Sequence, residues 1–264
     1  MTDSLLLQVD SRGVATLTLN RPEKHNAFDD TLIAELTQKL IQLNNDKQVR
    51  IVMLTGAGKS FSAGADLNWM RASAQYDEAH NIEDALKLAE LMSTLDNLRK
   101  PTIARVNGAT FGGGVGLVAC CDIAIASTNA KFALSEVRLG LVPSVISPYV
   151  IAAIGTHQAR RYFLTADAIN AQKALEIGLV HEVVTTEQLD EAVEKEIGLL
   201  LKGGPKALTA AKELIAGQVA LSTSARRNLH NKTANIIAQL RVSEEGQEGL
   251  NAFLEKRPAK WNEE

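Results

Sequence analysis

One carboxylate of this 264-residue chain stands in an apolar segment. Glu136 lies within residues 132–143, FALSEVRLGLVP, where leucine and valine surround it. Apolar surroundings disfavour the charged form of a carboxylic acid and raise its pKa, which suits a group that transfers protons near neutral pH. The alternative is a structural ion pair with Arg138 or Arg105. The segment alone therefore predicts either an acid–base group or a buried salt bridge.

Two glycine-bearing loops are the other candidates for chemistry. The first, residues 60–67, reads SFSAGADL, and the second, residues 107–117, reads NGATFGGGVGL. Glycine lets a backbone approach a ligand closely, and a glycine-rich loop that opens a helix directs free N–H groups and the positive dipole end towards an anion. A tight strand–helix connection is an equally simple interpretation of each loop. The second loop lacks the third glycine of a dinucleotide-binding motif.

Strand-like and helix-like segments alternate around these loops. Residues 14–20 alternate apolar and polar side chains, and residues 51–55 are continuously apolar, as in a strand buried on both faces. Leucines between residues 32 and 43 share one helical stripe, which Asp29 or Asp30 can cap. Further predicted elements are a helix over 78–98, strands over 102–106, 123–126 and 131–133, and a helix from the second loop to residue 121. Recurring strand–helix–strand units predict an α/β fold.

After residue 200 the predicted structure is helical. The sequence KGGP at residues 202–205 is a break, and helices are predicted over residues 205–218, 221–241 and 244–256. We therefore divide the chain into a core, residues 1–200, and a C-terminal helical region, residues 201–264, for which we expect a role in trimerisation.

Composition and charge exclude several classes of function. The net charge is −3 and aromatic residues make up 4%, so nucleic acid is not an expected partner. No apolar run reaches the ~18 residues of a membrane span, and the N-terminus does not resemble a signal peptide. Cys120 and Cys121 are adjacent, and neither they nor the scattered histidines have metal-ligand spacing. We expect a reduced, cytoplasmic protein without a bound metal.

Several segments match a known family in order and spacing. They read NRPEKHNA at residues 20–27, FSAGADL at 61–67, PTIARVNG at 101–108, FGGG at 111–114, LGLVP at 139–143 and ALEIGLV at 174–180, with Glu136 between FGGG and LGLVP. Together they resemble the enoyl-CoA hydratase/isomerase family, the crotonase superfamily, over nearly the whole chain. The resemblance implies a spiral of β-β-α units with a C-terminal helical region, assembled as a homotrimer or a dimer of trimers.

The resemblance also implies a substrate and a site. The substrate would be an acyl-CoA thioester, and no separate cofactor is expected because coenzyme A is part of that substrate. The amides of Ala65 and Gly113 would form an oxyanion hole for the thioester oxygen, where one preorganised donor is worth about 2.7–4 kcal/mol. Glu136 would transfer protons. The residues implied to bind coenzyme A or the acyl group are Lys24, Ala27, Ala63, Asp66, Leu67, Gly112, Gly116 and Ser144.

The chain departs from the family pattern at one catalytic position. Hydratases of the family usually carry two catalytic glutamates, and the first belongs at the position of Gly116. Three interpretations follow. The chain is a hydratase that relies on Glu136, with Ser144, Ser147 or Tyr149 orienting water; or it is a double-bond isomerase that uses Glu136 alone; or it binds acyl-CoA with weak activity.

Local sequence favours one branch of the family. Residues 144–149, SVISPY, and the second loop are similar to the bacterial branch of methylglutaconyl-CoA and carboxygeranoyl-CoA hydratases, which act in leucine/isovalerate and acyclic-terpene breakdown. The expected reaction is syn addition of water to an α,β-unsaturated acyl-CoA. Methylglutaconyl-CoA carries a distal carboxylate, for which the candidate partners are Arg71, Arg138 and Ser147.

Overall fold

The strands of the protein form two sheets. The computed structural model describes residues 3–218 and 223–262, and the following account concerns those residues. The strands are β1 Leu5–Val9, β2 Val14–Leu19, β3 Ile51–Gly56, β4 Ser60–Ser62, β5 Thr102–Val106, β6 Ala109–Phe111, β7 Ile123–Ser127, β8 Lys131–Ala133, β9 Ile169–Asn170 and β10 Glu182–Val184. The larger sheet has the order β1-β2-β3-β5-β7-β10, and the smaller sheet has the order β4-β6-β8-β9.

From β3 to β8, consecutive strands alternate between the two sheets. β3, β5 and β7 pair in parallel in the larger sheet, while β4, β6 and β8 pair in parallel in the smaller one. Each pair of consecutive strands therefore places one strand in each sheet before the chain passes into a helix, and three such units follow one another. The predicted α/β fold, a spiral of β-β-α units followed by C-terminal helices, is confirmed.

Helices cover the sheets and form the C-terminal region. They are α1 Asp30–Asn45, α2 Leu67–Ser73, α3 Glu78–Asp96, α4 Gly113–Cys120, α5 Ser147–Thr165, α6 Ala171–Glu176, α7 Leu189–Leu201, α8 Pro205–Gln218, α9 Thr223–Val242 and α10 Glu244–Glu255. Asp29 caps α1 by accepting a hydrogen bond from the Leu32 amide at 2.9 Å. In the described part of the chain, no helix has the length and hydropathy to cross a membrane.

The larger sheet is buried on both faces. Val52 and Leu54 of β3 belong to the main core, whereas Ile51 packs with α7 residues on the other face. This placement confirms the prediction from the continuous apolar run, because side chains alternate between the faces of a strand.

The adjacent Cys120 and Cys121 are buried free thiols, and Asp122 accepts hydrogen bonds from Thr102.

Candidate active site

The two glycine loops and the Glu136 segment line one cavity. Its volume is about 890 Å³, and side chains of α3, α9 and α10 complete its walls. The first loop enters it between β4 and α2, and the second loop enters it between β6 and α4. Since β4 and β6 are parallel neighbours, both loops leave the same edge of the smaller sheet. The fold therefore brings together three segments that are distant in sequence.

Two glycines mark the point where the loops meet. Gly64 and Gly112 have φ values of +86° and +49°, which residues with a side chain rarely adopt. A Cβ built on Gly112 would lie 4.0 Å from the Gly64 Cα atom and 3.3 Å from the Glu136 Oε1 atom. The loops and the carboxyl group therefore converge within van der Waals distance of one another.

The amides that follow these two glycines are available to a ligand. The Phe28 amide donates to the Gly64 carbonyl at 2.6 Å, and the Asp66 amide donates to the Phe28 carbonyl at 2.7 Å, which fixes the peptide on either side of Ala65. Gly113 is the first residue of α4, so its amide has no acceptor within the helix. Within the described residues, neither the Ala65 amide nor the Gly113 amide donates to a protein atom. Such a pair of amides can bind an anionic oxygen.

Glu136 carries a carboxyl group with one buried oxygen that has no hydrogen-bonding partner. It opens the 3₁₀ turn Glu136–Leu139, and its Oε2 atom is buried and makes no hydrogen bond. Burial raises the pKa of this carboxyl to about 7, as the apolar segment predicted. The alternative of an ion pair is wrong, because Arg105 binds Asp190 at 2.7 Å and Arg138 is exposed. A carboxyl with this pKa can both accept and donate a proton near neutral pH.

The turn that contains Glu136 packs directly against helix α10. A Cβ built on Gly249 of α10 would lie 2.3 Å from the Leu139 carbonyl oxygen. Gly140, with φ at +68°, lies so close that a Cβ there would be 2.6 Å from the Glu245 carbonyl oxygen. The C-terminal region therefore contacts the backbone of the Glu136 turn directly, and only glycine permits this approach at positions 140 and 249.

Gly116, the position of the missing family glutamate, lies beneath Ile146. A Cβ built on Gly116 would lie 2.3 Å from the Ile146 Cγ2 atom and 3.1 Å from the Met92 Sδ atom. Ile146 lines the cavity, whereas Gly116 does not. At this position the cavity wall is therefore apolar.

One of the three candidates for orienting water lines the cavity. Ser144 lines the cavity, and its hydroxyl donates to the Thr233 carbonyl at 2.6 Å. The Ser144 oxygen can therefore accept a hydrogen bond from another group. Ser147 donates to the Ser144 carbonyl at 2.7 Å, and the Tyr149 hydroxyl lies 3.4 Å from the His230 Nε2 atom. Neither Ser147 nor Tyr149 lines the cavity.

The residues implied to contact coenzyme A, apart from Gly116, line the same cavity. These are Lys24, Ala27, Ala63, Asp66, Leu67, Gly112 and Ser144. Asp66 binds Lys24 at 2.9 Å and Arg21 at 3.0 Å. Burial acts to raise the pKa of Asp66, but hydrogen bonds from Lys24 and from the Asn68 amide outweigh it and hold the pKa below its ordinary value. Asp66 is therefore a fixed negative charge that positions the Lys24 ammonium group beside the cavity.

Sequence reasoning missed two arginines of the site. The first, Arg21, pairs with Asp29 and Asp66 and so ties the start of α1 to the first loop. The second, Arg241 of α9, lines the cavity and donates to the Asn81 Oδ1 atom of α3 at 2.9 Å. No sequence pattern connects residues 81 and 241, because their contact arises only from the packing of α9 against α3. Within the described part of the chain, no cluster of three or more histidine, cysteine or acidic side chains is arranged to hold a metal.

The chain is similar to known proteins over nearly its whole length. The family model for enoyl-CoA hydratase/isomerase matches residues 10–264. A crystal structure of an enoyl-CoA hydratase from Shewanella pealeana has a TM-score of 0.80 at 48% identity, covering 98% of this chain and 96% of that one.

Two curated relatives match over nearly their full length. A crotonyl-CoA hydratase of Syntrophomonas wolfei is 34% identical over 259 residues, which is 97% of each chain. A 2,3-dehydroadipyl-CoA hydratase of Escherichia coli is 33% identical over 257 residues, or 96% of this chain and 97% of the relative. The protein is therefore an enzyme that belongs to the enoyl-CoA hydratase/isomerase family.

Proposed function

We propose that the protein is a hydratase that adds water across the α,β double bond of an unsaturated acyl-CoA thioester. The observation that carries this proposal is the convergence of the Glu136 carboxyl with the two loops that bear the unpaired Ala65 and Gly113 amides. A general acid–base group beside two free donors is the arrangement that addition to an unsaturated thioester requires.

The two amides bind the thioester oxygen. As water adds to the β-carbon, the electrons of the double bond shift towards the carbonyl, and negative charge develops on that oxygen. The Ala65 and Gly113 amides stabilise this charge by about 2.7–4 kcal/mol for each donor. Because Gly113 begins α4, the positive end of that helix dipole adds to the effect.

Glu136 moves the protons. Its carboxylate removes a proton from water while the water oxygen bonds to the β-carbon, and the resulting carboxylic acid then gives the proton to the α-carbon of the enolate. One O–H bond of water and the π bond between the α- and β-carbons break, one C–O bond and one C–H bond form, and Glu136 returns to its starting state. A pKa of about 7 suits both steps, because neither protonation state is strongly favoured near neutral pH.

Ser144 orients the attacking water. Its hydroxyl proton is committed to the Thr233 carbonyl, so its oxygen accepts a hydrogen bond from the water. This contact partly replaces the second glutamate of other hydratases, whose position is covered here by Ile146. Losing one of two acid–base groups costs ~10²–10⁴-fold in rate where nothing replaces it.

An isomerase is the second candidate, and the apolar cover of Gly116 favours it. Moving a double bond into conjugation requires only one group, which removes a proton from the α-carbon and returns it to the γ-carbon. Among the described residues of the cavity wall, Glu136 has a buried carboxyl oxygen, Oε2, that makes no hydrogen bond. No other carboxyl group among those residues has such an oxygen. The same oxyanion-binding amides would serve this reaction.

For the substrate, we propose a short, branched and carboxylated enoyl-CoA such as methylglutaconyl-CoA. The support is the sequence similarity of residues 144–149 to that branch, together with similarity to a relative named for 2,3-dehydroadipyl-CoA, which is also a thioester of a dicarboxylic acid. We also propose a homotrimer or dimer of trimers, as the resemblance implies.

A direct assay separates the candidates. The purified protein is incubated with crotonyl-CoA, which is conjugated, and with but-3-enoyl-CoA, which is not. The hydratase predicts loss of the conjugated absorbance and formation of 3-hydroxybutyryl-CoA. Conversion of but-3-enoyl-CoA to crotonyl-CoA without a hydroxyacyl product would establish the isomerase instead. Binding of both thioesters without turnover, unaltered by Glu136→Gln, would leave only an acyl-CoA-binding protein.

A further inference from the structure

A cation lies on an otherwise apolar part of the cavity wall. Arg241 of α9 lines the cavity beside Ile237 of the same helix, Leu88 of α3 and Leu250 of α10. Burial lowers the pKa of its guanidinium below the usual value, although arginine stays charged. A charge held away from water is unfavourable unless a group of opposite charge or several hydrogen bonds compensate for it.

The protein compensates for this charge only in part. Arg241 donates one hydrogen bond, from Nη1 to the neutral Asn81 amide at 2.9 Å, and makes no ion pair within the described residues. Asp84 is the carboxylate that acts on it through its charge, but Asp84 is engaged by Lys87 at 3.1 Å and by the Trp69 indole at 3.3 Å. Most of the five donors of the guanidinium therefore have no acceptor among the described residues.

The position of Arg241 is fixed from two sides. Asn81 donates to the Tyr76 and Asp77 carbonyls at 3.1 Å each, so its own carbonyl is turned towards the guanidinium. The Gln247 amide donates to the Arg241 carbonyl and to the Ala74 carbonyl, both at 2.9 Å. A pre-positioned guanidinium with free donors matches the geometry of a carboxylate, which it binds through two parallel hydrogen bonds.

We propose that Arg241 binds a carboxylate at the far end of the acyl chain and thereby selects enoyl-CoA thioesters of dicarboxylic acids. This inference rests on the proposed hydratase function and identifies the residue that sets its specificity. Two other arginines line the cavity, but Arg71 is exposed and bonded to Asn68 at 3.0 Å, and Arg138 is exposed. Water solvates the charges of Arg71 and Arg138, so a substrate carboxylate would stabilise these two side chains less than it would stabilise Arg241.

The test compares two substrates that differ by one carboxylate, glutaconyl-CoA and crotonyl-CoA. The measured quantity is the ratio of their kcat/KM values. We expect the wild-type protein to favour glutaconyl-CoA by at least about 10-fold, and Arg241→Gln to lower the ratio by roughly 10- to 100-fold, since a hydrogen bond to a charged group is lost. Arg241→Lys, which keeps the charge without the planar donors, falls between them. Arg71→Gln and Arg138→Gln are the matched comparisons, and each should lower the ratio by less than Arg241→Gln does.

Several results would overturn the proposal. An equal loss on both substrates would mean that Arg241 binds a phosphate of coenzyme A or only supports the fold, and an unchanged ratio would remove it from recognition altogether. If Arg241→Gln does not fold, the wild-type protein still decides: a preference of less than about 3-fold for glutaconyl-CoA over its uncharged monoamide contradicts carboxylate recognition. Failure to hydrate either thioester would refute the proposed function, whereas hydration of both at equal efficiency would refute this inference alone.

Discussion

The side chain of Ile146 fills the space that a side chain at Gly116 would need. A Cβ built on Gly116 would overlap the Ile146 Cγ2 atom, at 2.3 Å. The absence of the second family glutamate is thus not an isolated change at one position, because a second residue occupies the resulting space. The proposed reaction therefore assigns the proton transfers to Glu136.

The first prediction concerns this pair. Gly116→Ala should destabilise the protein by about 1–3 kcal/mol, because overpacking outweighs the better helix propensity of alanine. Thermal or denaturant unfolding measures the change. Gly198→Ala is the matched control, since Gly198 also lies within a helix but its Cβ would meet no atom within 4 Å; it should stabilise the protein by up to about 1 kcal/mol. Equal changes in the free energy of unfolding for the two substitutions would show that Ile146 can move aside without destabilising the protein.

The second prediction concerns pH. Glu136 must be ionised to remove a proton from water, and burial raises its pKa to about 7, so kcat/KM should rise as the pH passes through about 7 and then level off. An ordinary surface carboxylate would give a rise near pH ~4.3 instead. The profile is measured with crotonyl-CoA, and an inflection near the ordinary value would contradict the burial of this group.

The ionisation of Glu136 also makes the stability of the protein depend on pH. Because the folded-state pKa lies above the unfolded value of 4.5, the folded protein binds more protons between these values, and stability decreases as the pH rises from about 4.5 to about 7. The contribution is about 3 kcal/mol. Glu136→Gln should remove this decrease, which denaturant unfolding at several pH values detects.

The third prediction concerns the support of the Glu136 turn. Gly249→Ala places a methyl group against the Leu139 carbonyl and should displace the turn. Since a displacement of ~1 Å at a reacting group costs up to ~10²-fold, kcat should fall by at least ~10-fold while the affinity for coenzyme A is retained. Gly249 is a positioning residue, and a lower kcat without a change in KM distinguishes this role from general destabilisation. Gly198→Ala is again the control, and an unchanged kcat for Gly249→Ala would contradict the role of α10.

The fourth prediction concerns the cavity entrance. Lys24→Ala should raise KM by about 10-fold and leave kcat unchanged, because Lys24 lines the cavity and is proposed to bind coenzyme A without taking part in proton transfer. Asp66→Asn should act in the same direction, since Asp66 holds the Lys24 ammonium group at 2.9 Å. Lys39→Ala on α1 is the control, because Lys39 does not line the cavity and its ammonium group donates to the Gln42 side chain. A fall in kcat for Lys24→Ala would move this residue into the reaction itself.

Local sequence patterns predicted the strands and helices whose bounds are set by residues within or next to them. The strand Thr102–Val106 and the helix Pro205–Gln218 have the predicted bounds, since a proline precedes the first and begins the second. The predicted helix over residues 221–241 is described from Thr223, so its first two residues lie outside the described part of the chain. Helix Ser147–Thr165 was not predicted, because Gly155, with φ at +71°, interrupts its helical periodicity.

The site was predictable to the same extent. The apolar environment of Glu136 comes largely from its neighbours in sequence, so its raised pKa followed from the segment itself. The cover of Gly116 by Ile146 and the contact of Arg241 with Asn81 join separate elements, the latter across 160 residues. No local pattern contains such information, because these contacts depend on how the helices pack.

We propose that Glu136 carries out the proton transfers of hydration, and one labelling experiment tests this proposal most directly. Wild-type protein and Glu136→Gln are incubated with crotonyl-CoA in ¹⁸O-labelled water, and the hydroxyacyl product is followed by mass spectrometry. We expect one labelled oxygen in the wild-type product, and formation of that product at least ~10²-fold slower with the variant, although the variant still binds the thioester. A variant that forms labelled product at the wild-type rate, or a wild-type protein that forms none, would contradict the account.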